Sequence, residues 1–291
     1  MKKKILIIGK GFLGGYIQSE LEGSDEVFST NSDCDESQFR LDIREKNSVE
    51  KIISKINPEC VINCAGNVEI DLLEKNPTLA YSINAEGAKN VAQISKSHDI
   101  RLIHISTDNV FDGARGKYRE EDSPNPVNVY GKSKEQGEKY VIENSNNFVI
   151  VRTNFYGIDQ KGRDLISKIL KSLKENRPFF GFDDVKFNPL EVSNLSEMIN
   201  ELTKNDFRGL IHLSGNEVIS KYQLALRVAQ VFGFSTNLIK KGSIQDAHLF
   251  APRPKNTSLS NNKSKSFLKT PIISLENSLK KIKRQIAEAV S

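Results

Sequence analysis

Tyr130 and Lys134 stand four residues apart in Tyr130-Gly131-Lys132-Ser133-Lys134, a spacing that puts both side chains on one face of a helix. A free phenol titrates near pH 10, so near neutrality it exchanges protons poorly unless a neighbouring cation stabilises its anion. Lys134 is such a cation, and the positive ring of an oxidised nicotinamide would add to it. Upstream, Ser106-Thr107-Asp108 ends an apolar run and places a hydroxyl, on Thr107, where it can hold a carbonyl oxygen. Together Thr107, Tyr130 and Lys134 read as catalytic groups for reducing a ketone: hydride from a nicotinamide, proton from Tyr130, no metal. A tyrosine and a lysine four apart also recur on many exposed helices, so the reading draws its weight from its context.

That context begins with Gly9-Lys10-Gly11-Phe12-Leu13-Gly14, a G-x-G-x-x-G that directly follows a strand pattern and directly precedes a helix pattern. Glycines allow a tight turn and close approach of backbone to a pyrophosphate, while the helix N-terminus supplies free N–H groups and partial positive charge. At the first βα junction the motif points to dinucleotide binding by Gly9, Gly11, Phe12, Leu13 and Gly14. A carboxylate at the end of the second strand usually accepts the ribose 2′-hydroxyl and repels a 2′-phosphate. Here that stretch is Ser29-Thr30-Asn31-Ser32, with Thr30 and Asn31 as candidate contacts, although Asp33 and Asp35 follow. NADPH is therefore the expected cofactor, with NADH as the alternative. Asp42, before Ile43, could accept the adenine amino group or serve as a turn aspartate. Cys64, Ala65 and Gly66 are small residues at the end of the third strand, where the backbone passes the cofactor.

Other reactive residues receive plainer readings. His104 and His212 lie in apolar stretches as core histidines, and His98 and His248 face solvent or loops. None has metal-ligand spacing, so no metal is expected. Asp183-Asp184 reads as solvated loop carboxylates. Gly9 to Gly14 lacks the Gly-Lys-Ser/Thr ending of a phosphate-transfer loop. Arg253 could clamp a substrate diphosphate or form half of a structural salt bridge.

These groups need a scaffold. In the first half, short apolar runs (5–8, 27–29, 60–63, 102–106, 148–151) alternate with helical periodicity, a βαβαβ rhythm in which strands apolar on both faces form a parallel sheet covered on both sides. After about Arg152 the rhythm becomes mixed. The fold class is thus α/β, a Rossmann doubly wound parallel sheet (1–155) with a smaller mixed C-terminal substrate domain (156–291), whose late segments have the option of returning to the first. The Lys/Ser/Asn-rich stretch 256–266 reads as a solvated loop, and 279–290 as a basic amphipathic helix packed on the body. With 37% apolar and 27% charged residues the composition is that of a globular chain, not a disordered one. A net charge of +5 suits anionic small molecules; no nucleic acid or membrane is expected as a partner. The Lys2-Lys3-Lys4 start is followed by an apolar run of only Ile5 to Ile8, too short for a secretory signal. With Cys34, Cys60 and Cys64 read as reduced thiols, the expected location is cytoplasmic.

Across nearly its whole length the chain resembles extended short-chain dehydrogenases, and among them the dTDP-4-dehydrorhamnose reductase family of sugar-nucleotide-binding proteins. The resemblance rests on the glycine loop, Asp42-Ile43, Asn63-Cys64-Ala65-Gly66, Tyr81-Ser82-Ile83-Asn84, Ser106 to Gly113, Pro126 to Lys134, Arg152-Thr153 and Arg253 to Leu259. It implies Thr107, Tyr130 and Lys134 as the catalytic group and Gly11, Phe12, Leu13, Asp42, Ile43, Cys64, Ala65 and Gly66 around the cofactor, with Asn84 supporting the backbone there. Thr107, Asp108, Asn109, Asn154 and Arg253 become candidate substrate contacts. Related dehydratases carry Asp-Glu where this chain has Asp108-Asn109, which disfavours dehydration, and the epimerase pattern Val-Tyr-Gly is replaced by Val110-Phe111-Asp112-Gly113. The implied activity is reduction of a nucleotide-activated 4-keto-6-deoxy sugar, as in dTDP-rhamnose biosynthesis. A regulatory subunit that binds NADP without turnover, or an epimerase, are the alternatives, and a homodimer is an open option. Rhamnose-forming enzymes look like Ser-Thr-Asp-Tyr and Arg-Thr-Ser-Trp-Val-Tyr at two places where this chain has Asn109 and Arg152-Thr153-Asn154-Phe155-Tyr156-Gly157. It has no tryptophan.

Overall fold

The computed structural model describes residues 2–32, 39–159 and 161–288, so Asp33, Cys34, Asp35 and the end of the final helix pattern lie outside the described residues. Among the described residues the main sheet contains β1 (Lys4–Ile8), β2 (Glu26–Asn31), β3 (Phe39–Arg40), β4 (Cys60–Asn63), β5 (Arg101–Thr107), β6 (Phe148–Thr153) and β7 (Gly209–Leu213). Their order is β3-β2-β1-β4-β5-β6-β7 and every pairing is parallel. The order turns back between β1 and β4, which opens a crevice at the carboxyl ends of the strands. The main helices are α1 (Phe12–Leu21), α2 (Lys46–Ile56), α3 (Gly87–Ser97), α4 (Val129–Asn144), α5 (Leu165–Lys174), α6 (Val192–Lys204), α7 (Lys221–Phe232) and α8 (Leu275–Glu288).

Strand alternation divides the core in two. Ile5, Ile7, Ile62, Ile103 and Ile105 pack with Leu13 and Ile17 of α1 and with Leu195, Met198 and Ile199 of α6. Leu6, Ile8, Val61, Leu102 and Ile150 face α2, α3 and α4 through Ile53, Val91 and Val141. Each large aliphatic side chain so buried contributes about 1.5–3 kcal/mol, against about 1 kcal/mol net for a ladder hydrogen bond, so the apolar layers set the register. Both β7 and α6 complete these layers although they follow residue 155.

A third cluster joins α5, α7 and α8 through Ile166, Ile169, Leu224, Val228, Leu279 and Ile282. Here α7 begins with a reciprocal Ser220–Gln223 capping box and ends at Gly233 with φ +80°. The amphipathic C-terminal helix does pack on the body through Leu275, Leu279 and Ile282. The 256–266 stretch is different from its composition. Thr257, Ser258, Leu259 and Ser264 are buried, and Leu259 donates its N–H to Asn188 while Asn188 Nδ2 returns a bond to the Leu259 carbonyl. Polar side chains here satisfy buried backbone, which composition alone reads as solvation. No helix among the described residues is long and apolar enough to cross a membrane.

Candidate functional site

The glycine loop is built by contacts no other residue permits. Gly9 has φ +90°, and a Cβ on it would lie 2.6 Å from the Ala65 backbone nitrogen. A Cβ on Gly14 would run into the Gly9 carbonyl. The N–H groups of Gly9 and Lys10 both donate to the Thr30 carbonyl, at 3.0 and 2.8 Å, which pins the loop over the end of β2. Gly11 precedes α1 without any side-chain cap, so the first turn presents its N–H groups outward, with the Cys64 and Ala65 backbone against Gly9, and Gly66 next along the chain, facing Asn84 and Lys134. This uncapped N-terminus and side-chain-free cradle fit a dinucleotide pyrophosphate. Phe12 turns away and packs on Phe155 at 5.6 Å.

The residues expected around the adenosine half divide. Thr30 is buried, and among the described residues its hydroxyl has no partner, so it serves the loop by its carbonyl. Asn31 is half-buried at the end of β2 and pairs in register with Arg40. Arg40 is one residue sequence reasoning missed: it is exposed, its Nε donates to the Ser32 carbonyl at 3.1 Å, and the two-residue strand that carries it is too short to read. Asp42 accepts both the Arg44 backbone N–H and its guanidinium Nε at 3.0 Å, which holds its carboxyl below the usual range. The geometry is that of a turn aspartate, with the carboxylate still partly exposed. Ile43 is a core residue against Gly87.

Thr107 ends β5, while Tyr130 and Lys134 lie in the first two turns of α4. Asn128 starts that helix, its side chain accepting the Gly131 N–H at 2.8 Å and donating to the Pro252 carbonyl at 2.9 Å. The structure brings the three together: the Thr107 hydroxyl lies close enough to the Tyr130 phenol to favour its anion, and Lys134 Nζ donates to the Ile105 carbonyl at 2.7 Å. All three are buried. Burial pushes Tyr130 up to about 12, with the Thr107 hydroxyl lowering it and the Asp108 carboxylate raising it. Burial lowers Lys134 to about 8, opposed by Glu138 and Cys64. Asn84 lies in a π-helical turn, Ser82–Glu86, a local widening often found at functional sites. It accepts the Asn67 N–H at 2.9 Å and donates to Ser133 Oγ at 3.0 Å, tying the Gly66-Asn67 backbone to α4.

The expected substrate contacts form a web instead of separate fingers. Asp108 is turned inward: Thr257 Oγ1 and Asn154 Nδ2 donate to one oxygen at 2.5 and 2.8 Å, Asn109 Nδ2 and Thr107 Oγ1 to the other at 2.9 and 3.2 Å. Burial raises its pKa, yet four donors leave it an acceptor with no free face toward a ligand. Arg253 is ion-paired with Asp71 at 3.1 Å and donates to the Ala251 carbonyl at 2.8 Å. Lys221, at the start of α7, feels both Arg253 and Asp108 electrostatically, a cation the sequence reading did not single out because only folding sets it there.

The profile of the RmlD substrate binding domain matches residues 3–288. This chain belongs to that family. The RmlD chain is 30% identical over 240 residues to methionine adenosyltransferase 2 subunit beta of Bos taurus, covering 76% of this chain and 68% of that one. It is 30% identical over 232 residues to dTDP-4-dehydrorhamnose reductase of Aggregatibacter actinomycetemcomitans, covering 75% and 78%. The crystal structure of dTDP-4-dehydrorhamnose reductase from Bacillus anthracis in complex with NADP superimposes with a TM-score of 0.88 at 31% identity, over 98% of this chain and 100% of that one. The RmlD fold thus agrees with the doubly wound parallel sheet described above.

Proposed function

We propose that this RmlD-family chain is an NADPH-dependent reductase of a nucleotide-activated 4-keto-6-deoxy sugar. The observation that carries the reading is the convergence of Thr107, Tyr130 and Lys134, all buried, beside a glycine cradle at the crevice. A bound NADPH supplies the hydride; the chain's residues manage the proton and the carbonyl. Tyr130, pushed up to about 12, is protonated at neutral pH and donates to the carbonyl oxygen, while the Thr107 hydroxyl turns from Asp108, which keeps its bonds from Thr257, Asn154 and Asn109, to hold that oxygen. Lys134 lies beside Gly66, where its ammonium can bond a nicotinamide ribose and offset the phenolate that proton donation leaves. Asp108 is held by Thr257, Asn154 and Asn109, and Asn109 stands where related dehydratases carry a glutamate, which supports reduction over dehydration. Arg253 and Lys221 supply positive charge for a substrate diphosphate, Arg253 exchanging Asp71 for it.

The purified protein, mixed with NADPH and a panel of 4-keto-6-deoxy sugar nucleotides that varies both base and sugar, is expected to oxidise the cofactor with at least one. The bovine relative is named as a subunit of another enzyme. Tight NADPH binding with no oxidation by any substrate would favour that kind of role.

A further inference from the structure

Behind the three catalytic groups, α4 is joined to the sheet by an ion pair with both partners only 3% exposed. Arg152 of β6 sets its guanidinium on Glu138 of α4, Nε at 2.9 Å from one oxygen and the terminal nitrogen at 2.6 Å from the other. Ser106 adds its hydroxyl to the same carboxylate. The sequence places these partners at telling positions: Ser106 immediately precedes Thr107, Arg152 lies opposite Ser106 in the strand register, and Glu138 follows Lys134 by one helical turn. Arg152 also lies 5.1 Å over the Phe111 ring, which stacks on Tyr118 at 4.2 Å. Dehydrating two charges is costly, and well-packed apolar residues often hold a helix to a sheet as well or better. A pair kept here therefore points to a role that apolar packing would not fill.

We infer that Glu138, fixed by Arg152 and Ser106, is a positioning residue that keeps Lys134 in its ammonium form beside the cofactor cradle and registers α4 against the end of β5. The electrostatic surroundings of Lys134 agree. On its own helix lie Tyr130, protonated at neutral pH, and Glu138; the residue after β4 contributes the Cys64 thiol, which burial pushes up to about 12; β5 contributes His104, whose pKa burial lowers well below its ordinary value. The charge of Arg152 is taken up by Glu138. Glu138 is thus the group that counters the desolvation of the lysine most strongly.

The inference rests on the reductase reading for its kinetic arm alone. In full-length protein carrying 13C-lysine, with the Lys134 signal assigned by Lys134→Arg, the Lys134 titration is followed by NMR in wild type and in Glu138→Gln. The midpoint is expected to fall by about one unit in the variant, since a neutral amide no longer favours the ammonium. On an accepted sugar nucleotide, the alkaline limb of kcat/KM is expected to move to lower pH by the same amount. Glu138→Asp should restore part of both shifts. A Lys134 midpoint unchanged in Glu138→Gln overturns the inference; if that variant does not fold, an unchanged midpoint in Glu138→Met, which equally removes the charge, does so. Absence of turnover in wild type would sink the reductase reading while leaving the titration to decide the role of Glu138.

Discussion

Tyr130 and Lys134 carry opposite consequences of being buried. For the tyrosine, burial favours the protonated phenol, the form that donates, so Tyr130→Phe should leave fold and NADPH affinity nearly unchanged and lower turnover by roughly a hundredfold or more, the scale of a lost general acid. Rates and cofactor titrations on one preparation check this, and near-normal turnover in Tyr130→Phe would end the proposed mechanism. For the lysine, burial disfavours the ammonium, as its value of about 8 shows. Lys134→Met is therefore expected to weaken both NADPH binding and turnover while thermal stability stays level or rises, because an apolar chain replaces a charge the fold does not favour. A Tm loss of many degrees would mean that Lys134 is structural. The two variants thus separate proton donation from cofactor holding.

The elements around the cradle matter through their backbones. Gly9 faces the Ala65 backbone, which cannot move aside as a flexible side chain could, and its positive φ adds about 1–3 kcal/mol of strain for any residue with a Cβ. Gly9→Ala should lower thermal stability and abolish measurable NADPH binding by calorimetry; retained affinity would contradict the cradle. At the edge of the sheet, β3 sets the exposed Arg40 against Asn31 at the end of β2, and we propose Arg40 as the group that would meet a 2′-phosphate. NADPH is expected to bind more tightly than NADH, and Arg40→Ala to narrow the gap mainly by weakening NADPH. Titration of both cofactors against both proteins decides this, and tenfold tighter NADH binding by wild type would reverse the assignment.

At the scale of the whole molecule, buried polar groups link segments far apart in sequence. Thr257 reaches Asp108 across 149 positions, and Asn188 reaches the Leu259 carbonyl across 71, so the late segment closes directly onto the end of β5. His212 shares this interior, its backbone N–H donating to Glu120, and burial lowers its pKa to about 3, with Arg152 adding to the effect. His104, also buried, is lowered too. Both are neutral in the fold and titrate near 6.5 when unfolded, so their contribution is fully present above about pH 6.5 and is lost as pH falls toward the folded values. The free energy of unfolding is expected to drop by a few kcal/mol over that range, and His212→Gln to flatten the drop. A pH-independent unfolding free energy from pH 7 to 4 would refute this.

The sequence alone determined what depends on local order. The glycine loop at a βα junction, the four-residue spacing of Tyr130 and Lys134, and the apolar runs that make a doubly wound sheet are patterns over a few residues, where backbone sterics and helical periodicity leave few outcomes. Tertiary structure decided what depends on partners. Asp108 reads as a ligand contact in sequence but is spent on four donors, one of them 149 positions away. Arg253 could clamp an anion but rests on Asp71, and the polar 256–266 stretch is buried because its hydroxyls and amides meet distant backbone groups. Arg40 and Glu138 gain meaning only from the strand and helix that face them. A polar side chain costs little in water and much when buried without a partner, so its role is fixed by which partner the fold delivers, and composition carries no record of that.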